Sequence, residues 1–410
     1  MINYKKMSLF LIVIFISSCC YQSTFKSYYP STIFWDSDSL LVIKEKIHEN
    51  DVRYVSAYDN IIQKANSALE VGPFSVTTKE NMPPSGDKHD YMSLAPYWWP
   101  DTTKKDGLPY IRRDGLRNPE YDGYDVKDFV KLKAAVKSLG LAYYFSDNEA
   151  YAEHAAKLLR VWFLDPWTKM NPNLEYAQAV KGIEEGRNFG IIETVDIGII
   201  ADISEMLTHS PSWSQNDYNE LKKWFREYLI WLQNSKKGQQ ERDWHNNHGT
   251  WYDVQVTYLA LTIGEEELAK KTLLSVPEKR ITAHIKSDGS QPYELERTKS
   301  YDYSVYNLKA MMMLARLGEF VDVDLWNYKS ESGANIKSAF DFLLPFVEDS
   351  SGWKYEMISP WEKPRSQMYS MLKLMSSKYA NKNYLEVEER LKERFGTSDE
   401  FQLLYPPIIN

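Results

Sequence analysis

The stretch RDWHNNHGTWYD, Arg242 to Asp253, concentrates groups that could move protons or bind charge. His245 and His248 stand three residues apart, so a helix would turn both imidazoles toward one side, as in metal-binding His pairs. The stretch lacks the glutamate of an HExxH site, and the chain's two cysteines are Cys19 and Cys20, so the expected site contains no metal or other cofactor. Asn246 and Asn247 carry neutral amides, which can hydrogen-bond a carboxylate without themselves being charged. Trp251 adds an aromatic face. A second cluster lies in QPYELERTKSYDYSVYNLKAM. There Arg297 precedes an apolar-periodic helix that Ser300 or Asp302 is placed to cap. Tyr303 then falls in the first turn, where the helix dipole and a neighbouring guanidinium both favour a phenolate.

Two more segments supply surfaces rather than reacting groups. In HDYMSLAPYWWPDTTKKDGLPYIRRDGLRNPEY, the rings of Tyr91, Tyr97, Trp98 and Trp99 alternate with Lys104, Lys105, Arg112, Arg113 and Arg117. Flat rings stack on sugars, and interleaved cations suit an anionic carbohydrate. The same aromatics would also pin a long loop to a core. In LEYAQAVKGIEEGRNFGIIET, Gln178 and Arg187 are placed to fork onto hydroxyls or carboxylates. Capping and loop anchoring are the structural alternative for both.

The elements that must hold these residues read as helices. Apolar residues recur with helical period through VKDFVKLKAAVKSLGLAYYFS, EAYAEHAAKLLRVWFLDP and YNELKKWFREYLIWLQNS. FGIIETVDIGIIADISEML is nearly apolar and predicts a buried inner helix. Further helices are expected over 254–263, 265–275, 304–317, 335–346, 366–376 and 384–395. Helix pairs without a strict repeat or a Gly/Ser-rich linker predict one all-α domain, an (α/α) toroid or incomplete α/α barrel, over 19–410. Residues 77–125 break the periodicity, and an irregular segment of that length in a compact domain is usually functional.

Composition narrows the function. The formal charge is −8, so long-range attraction to nucleic acid or another polyanion is absent and any anion must be met by local cations. Aromatics reach 14%, enough for both a core and a sugar-stacking groove. At the N-terminus, Lys5 and Lys6 precede an apolar run ending in Ile16-Ser17-Ser18-Cys19, the pattern of a secretory signal over 1–18. ISSC resembles a bacterial lipobox, which makes Cys19 the expected lipidation site and the periplasm or cell envelope the expected location. Membrane contact would then run only through that anchor. Loss of the signal, with Lys5 and Lys6, would take the charge from −8 to −10. Oligomeric state is not legible.

Taken together, DYMSLAPYWWPD, GLPYIRRDG, YAQ…GR…GII, NNHGTW and ELERTKSYDYSVYNL resemble the alginate-lyase-domain family of polysaccharide lyases, over roughly Asp90 to Leu308. The resemblance implies an (α/α) toroid, secretion and β-elimination of a uronate polymer. It assigns Asn247 and His248 to the family's Asn–His pair, and Arg297 and Tyr303 to its Arg and Tyr. The Arg-to-Tyr segment is one residue shorter than in better-known members, which leaves Tyr301 and Tyr306 as alternatives to Tyr303. Substrate contacts are expected from Tyr91, Tyr97, Trp98, Trp99, Arg112, Gln178, Arg187, Asn246 and Trp251. The implied partner is an anionic polysaccharide, alginate first, with glucuronan or another polyuronate as alternatives. Two other classes compete. A glycoside hydrolase would need paired carboxylates, for which Glu184, Glu185, Glu294 and Glu296 are available. A polysaccharide-binding lipoprotein would need only the aromatics and the anchor.

Overall fold

Side-chain oxygens of Asp36, Asp51, Asn148, Ser214 and Asn246 each accept a backbone N–H at the start of a helix. Such caps satisfy donors that the helix itself leaves unpaired, and so decide where it begins. The computed structural model describes residues 31–33, 35–395 and 401–404; the expected signal and Cys19 lie outside them.

The first helices are α1 (Ser37–His48), α2 (Val52–Ala68), α3 (Asp125–Ser146) and α4 (Glu149–Leu159). Next come α5 (Ile197–Met206), α6 (Gln215–Asn234), α7 (Lys236–Arg242), α8 (Asn247–Ile263) and α9 (Glu266–Val276). After a one-turn α10 (Pro292–Leu295) follow α11 (Ser300–Gly318), α12 (Ile336–Leu343), α13 (Pro345–Glu348), α14 (Glu362–Tyr379) and α15 (Lys382–Phe395). Successive helices pair, α2 with α3, α3 with α4, α8 with α9 and α14 with α15, giving the expected (α/α) toroid. Helix α8 packs against α5, α6, α7, α9 and α11 and is buried on every side, so it is an inner helix. Among the described residues no helix is long and apolar enough to cross a membrane.

Three local expectations are corrected. Helix α8 does not begin at Val254 but seven residues earlier, because Asn246 caps it through His248 N at 3.1 Å. FGIIETVDIGIIADISEML is not one helix: a 3-10 stretch over Asn188–Thr194 precedes α5. Gly190 in that stretch lies so close to the neighbouring strand that an added Cβ would stand 2.3 Å from Ala177 Cβ. Finally, neither Ser300 nor Asp302 caps α11, which starts after Lys299 without a side-chain cap. The Ser300 hydroxyl is drawn instead to Glu356 O at 2.6 Å.

The irregular segment after α2 is tied down by short strands: β1 (Met92–Leu94), β2 (Trp98–Trp99) and β3 (Ile111–Arg112), with β4 (Tyr176–Ala179) farther on. Strands β1 and β4 run parallel, and β2 and β3 antiparallel with Trp98 opposite Arg112. Buried polar contacts fasten this layer to the helices. Tyr91 Oη and Ser93 Oγ both donate to Glu193 Oε2 at 2.8 Å, and Lys79 pairs with Asp125 at 2.7 Å. A buried charge lacking such partners would be strongly destabilising.

Candidate active site

The N-terminus of α8, the start of α11 and the strands β2 to β4 converge on a cleft of about 610 Å³. Tyr97, Trp98, Arg112, Gln178, Arg187, Asn246, Asn247, His248, Arg297 and Tyr303 all line it. Three expected contact residues do not. Tyr91 is fully buried on Glu193 and anchors the loop. Trp99 donates Nε1 to Leu116 O at 2.9 Å and lies under the Arg113 guanidinium. Trp251 is buried against Tyr306, 4.9 Å between ring centroids. Of the cations in that loop, Arg112 reaches the cleft, while Arg117 lies over Tyr121 and pairs with Asp122.

His248 occupies the first turn of α8. Its Nδ1 meets Glu241 Oε1 at 2.6 Å, and the other oxygen of that buried carboxylate accepts from Asn188 Nδ2 at 2.8 Å. A carboxylate accepts only, so Nδ1 carries a hydrogen and Nε2 is the nitrogen left to exchange a proton, the orientation a general base needs. Phe189 packs edge-on against the imidazole, 4.8 Å away, and further restrains its tilt. The approach to this turn is held by Arg280, which pairs with buried Asp253 and donates to Trp244 O at 2.9 Å. At Gly249 an added Cβ would stand 2.2 Å from Trp244 O, so only glycine lets the chain pass that close.

Tyr303 does lie in the first turn of α11, but the expected phenolate is not its resting form. Its hydroxyl accepts from Arg297 Nη2 at 3.0 Å and donates to Tyr97 Oη at 2.9 Å. Burial, and then Tyr97, raise its pKa above the ordinary tyrosine value, while Arg297 acts in the opposite sense. Burial outweighs the guanidinium, 4.0 Å from the Tyr303 ring centroid, whose charge is also shared with Asp114 through two hydrogen bonds, at 2.8 and 3.2 Å. Burial works against the charge on Asp114, but Arg297 and Arg112 hold its carboxyl well below the usual range. Tyr303 therefore rests protonated and ready to donate. Of the alternatives, Tyr301 is buried with its hydroxyl on Leu343 O, away from the cleft, whereas Tyr306 lines it. Arg297→Lys would keep the charge but could not hold Asp114 by two nitrogens while reaching Tyr303. Initial rates for that variant are expected between wild type and Arg297→Ala.

Asn247 is fully buried at the floor. Its backbone N–H donates to Glu294 Oε1 and its Nδ2 to Glu294 Oε2, each at 2.7 Å, while its Oδ1 has no partner. Opposite, Gln178 adopts the left-handed region at φ 50, a strained conformation for a non-glycine residue, and donates its N–H to Ser93 Oγ at 2.8 Å. Arg187 then binds Gln178 Oε1 at 3.0 Å. Burial lowers the Arg187 pKa to about 10, which still leaves it charged at neutral pH, with Glu184 3.7 Å away as its anionic neighbour. An anionic guest could complete its neutralisation.

His245 faces Trp244 and Tyr293, whereas His248 is taken by Glu241, so the pair does not present two free imidazoles as expected of a metal clamp. Among the described residues no three His, Cys, Asp or Glu side chains gather as ligands would. Glu241, Asp114 and Asn188 were not anticipated as functional. Glu241 acts through His248 and Asp114 through Arg297, residues whose motifs were visible, whereas Asn188 acts one step further back, through Glu241.

The fold is shared with solved structures. An alginate lyase from Bacteroides ovatus matches with a TM-score of 0.89 at 37% identity, over 92% of this chain and 99% of that one. Alginate lyase A1-III from Sphingomonas species A1 shares the fold at a TM-score of 0.58 and 17% identity, over 93% of this chain and 98% of that one. A variant of A1-III, solved complexed with a tetrasaccharide, gives 0.57 at 16% identity, over 95% and 100% of the two chains. No curated protein matches the chain. The match to an alginate lyase at 37% identity over nearly the whole of both chains makes this toroid a polysaccharide lyase. More narrowly, the alginate lyase family model matches residues 75–353, and the chain belongs to that family.

Proposed function

We propose that the chain cleaves alginate by β-elimination, and the observation that carries this reading is one cleft lined by two candidate proton carriers, His248 and Tyr303. His248 engages Glu241 through Nδ1 and leaves Nε2 for proton transfer, and Tyr303 rests with its proton on. In a 1,4-linked uronate the C5 proton is removed and O4 is expelled. The intervening carbanion spreads into a C6 carboxylate that is already negative, so charge there must be met by donors. Asn247, Arg187 and Arg112 border the space a uronate would fill.

The Glu241 contact at His248 Nδ1 and the protonated resting form of Tyr303 support His248 as base and Tyr303 as acid, as required where C5–H and O4 lie on opposite faces, in guluronate. In mannuronate they lie on one side, and Tyr303 would both take and return the proton, its anion steadied by Arg297. Trp98 and Tyr97 on the rim offer faces for the flanking sugars. A hydrolase would need two carboxylates across the bond. Of the four candidates Glu296 alone lines the cleft, while Glu294 is sealed behind Asn247 and Glu184 stands beside Arg187, so no pair faces across it.

The test is a panel of purified polymannuronate, polyguluronate and polyglucuronate, followed by ultraviolet absorbance of unsaturated ends. Absorbance rising on either alginate block supports the reading, and a response to polyglucuronate alone would redirect it. Because this chemistry relies on protein donors rather than a divalent ion at the carboxylate, exhaustive dialysis against EDTA should leave the rate unchanged. Loss of activity restored by one specific ion would count against it. The ISSC motif supports an envelope location through Cys19; a mature N-terminus at any other residue would contradict that.

A further inference from the structure

Asn247 presents the wrong polarity for its task if Glu294 is ionised. With a carboxylate at Glu294, the amide must donate Nδ2 to Oε2 at 2.7 Å, and the remaining end of the amide, Oδ1, is an acceptor with no partner. An acceptor repels a uronate carboxylate. The second N–H on Nδ2 does not resolve this, because two carboxylates would then share one nitrogen in a buried place. The amide can be turned about, since its two ends are alike in shape and differ only in hydrogen bonding.

We propose that Glu294 works with a proton on it, donating to Asn247 Oδ1 and so directing the amide nitrogen to the substrate carboxylate. The proposal rests on the lyase reading for what fills the cleft, but its structural core is the two-point contact between Glu294 and Asn247. In the turned arrangement Glu294 Oε1 still accepts the Asn247 backbone N–H and Oε2–H donates to the amide oxygen, while the amide N–H groups take the place where Oδ1 finds no protein partner and are left for the substrate carboxylate to satisfy. Glu294 is thus a positioning residue. It touches no substrate and decides which end of Asn247 does.

The surroundings favour the neutral acid. Glu294 is 1% exposed. Burial pushes its carboxyl up to about 7, against the hydrogen bonds of Asn247 and the charge of Arg297, which pull it down. His245, Tyr293 and Glu296 on the neighbouring segments line the cleft, and the remaining ionisable groups have partners of their own. Arg297 is bound by Asp114, His248 by Glu241 and Tyr303 by Arg297 and Tyr97. His284 lies near Thr250, its pKa pushed down to about 3 by burial, so it adds no positive charge at neutral pH. A uronate carboxylate arriving beside Asn247 would raise the proton affinity of Glu294 further.

Two measurements on the full chain test this. The first is a carbon NMR titration of protein labelled at glutamate carboxyls, with the Glu294 signal assigned by its loss in Glu294→Gln. The expected result is a Glu294 carboxyl in the neutral-acid position in mildly acidic buffer, ionising near neutrality. A carboxylate already ionised there overturns the proposal. The second is kcat and KM of Glu294→Gln and Glu294→Ala. Glutamine can accept the backbone N–H and donate to the amide oxygen, mimicking the protonated acid, so its kcat/KM should keep the order of wild type. Alanine frees the amide to rotate and should cost about 10²- to 10³-fold in kcat, the loss typical of a removed donor. A Glu294→Gln protein that is folded by circular dichroism yet as impaired as Glu294→Ala would also overturn it. The NMR result does not depend on turnover, so failure of the lyase reading and failure of this one are told apart.

Discussion

Replacing Tyr303 by phenylalanine should lower the initial rate on every polymer the enzyme cleaves by about 10²- to 10⁴-fold, the usual worth of a positioned proton carrier. The leaving O4 must be protonated in either block type, and Tyr303 is the cleft hydroxyl that rests protonated between a donor, Arg297, and an acceptor, Tyr97. The phenylalanine ring fills the same space and keeps its place under the guanidinium, so folding should be unaffected and KM should move little. Tyr97 and Tyr306 also border the cleft and carry hydroxyls that would have to take over. A folded Tyr303→Phe enzyme keeping wild-type order of rate would assign the proton to one of them.

The second large effect is expected to depend on the substrate. His248→Gln removes the base for guluronate, where a loss of about 10²-fold or more is expected. For mannuronate it removes only a group that borders the site, and the loss should be smaller. Glutamine keeps a polar side chain near Glu241 but has no ring to pack on Phe189 and no basic nitrogen to aim into the cleft. Comparing the variant's rates on pure polymannuronate and polyguluronate checks this. Equal losses on both blocks would mean that His248 serves the two reactions in the same way, and the division of labour would fail.

Why so much of this site could be read beforehand has a local explanation. Asn246, Asn247 and His248 are consecutive, and Arg297 and Tyr303 are separated by little more than a turn of helix. Helical geometry alone then brings each group to one end of one element. The partners that tune them are remote. Glu241 comes from the preceding helix, Asp114 from a loop 183 residues before Arg297, and Glu294 is 47 residues after Asn247. No periodicity predicts such meetings.

The misread aromatics show the same limit. Tyr91 and Trp251 have the composition of a sugar platform, but their faces are spent on the core and on Glu193, and only packing decides which way a ring turns. The phenolate expected of Tyr303 failed for a related reason. Proximity of Arg297 was inferred correctly, but Asp114, which takes up its charge, and the burial that penalises the anion were not visible. Helix α8 was placed seven residues late because its first turn is polar; it reads as a loop until Asn246 is recognised as the cap and the turn as the site itself.

The central claim is that the glycosidic bond is broken by elimination, without water entering the product. Degradation of alginate in water labelled with heavy oxygen, followed by mass spectrometry of the oligosaccharides, tests it directly. The account predicts products whose new non-reducing ends are unsaturated and whose reducing ends carry no heavy oxygen at the moment of cleavage, before slow anomeric exchange. One heavy oxygen incorporated per bond broken, with saturated ends, would show hydrolysis and contradict it.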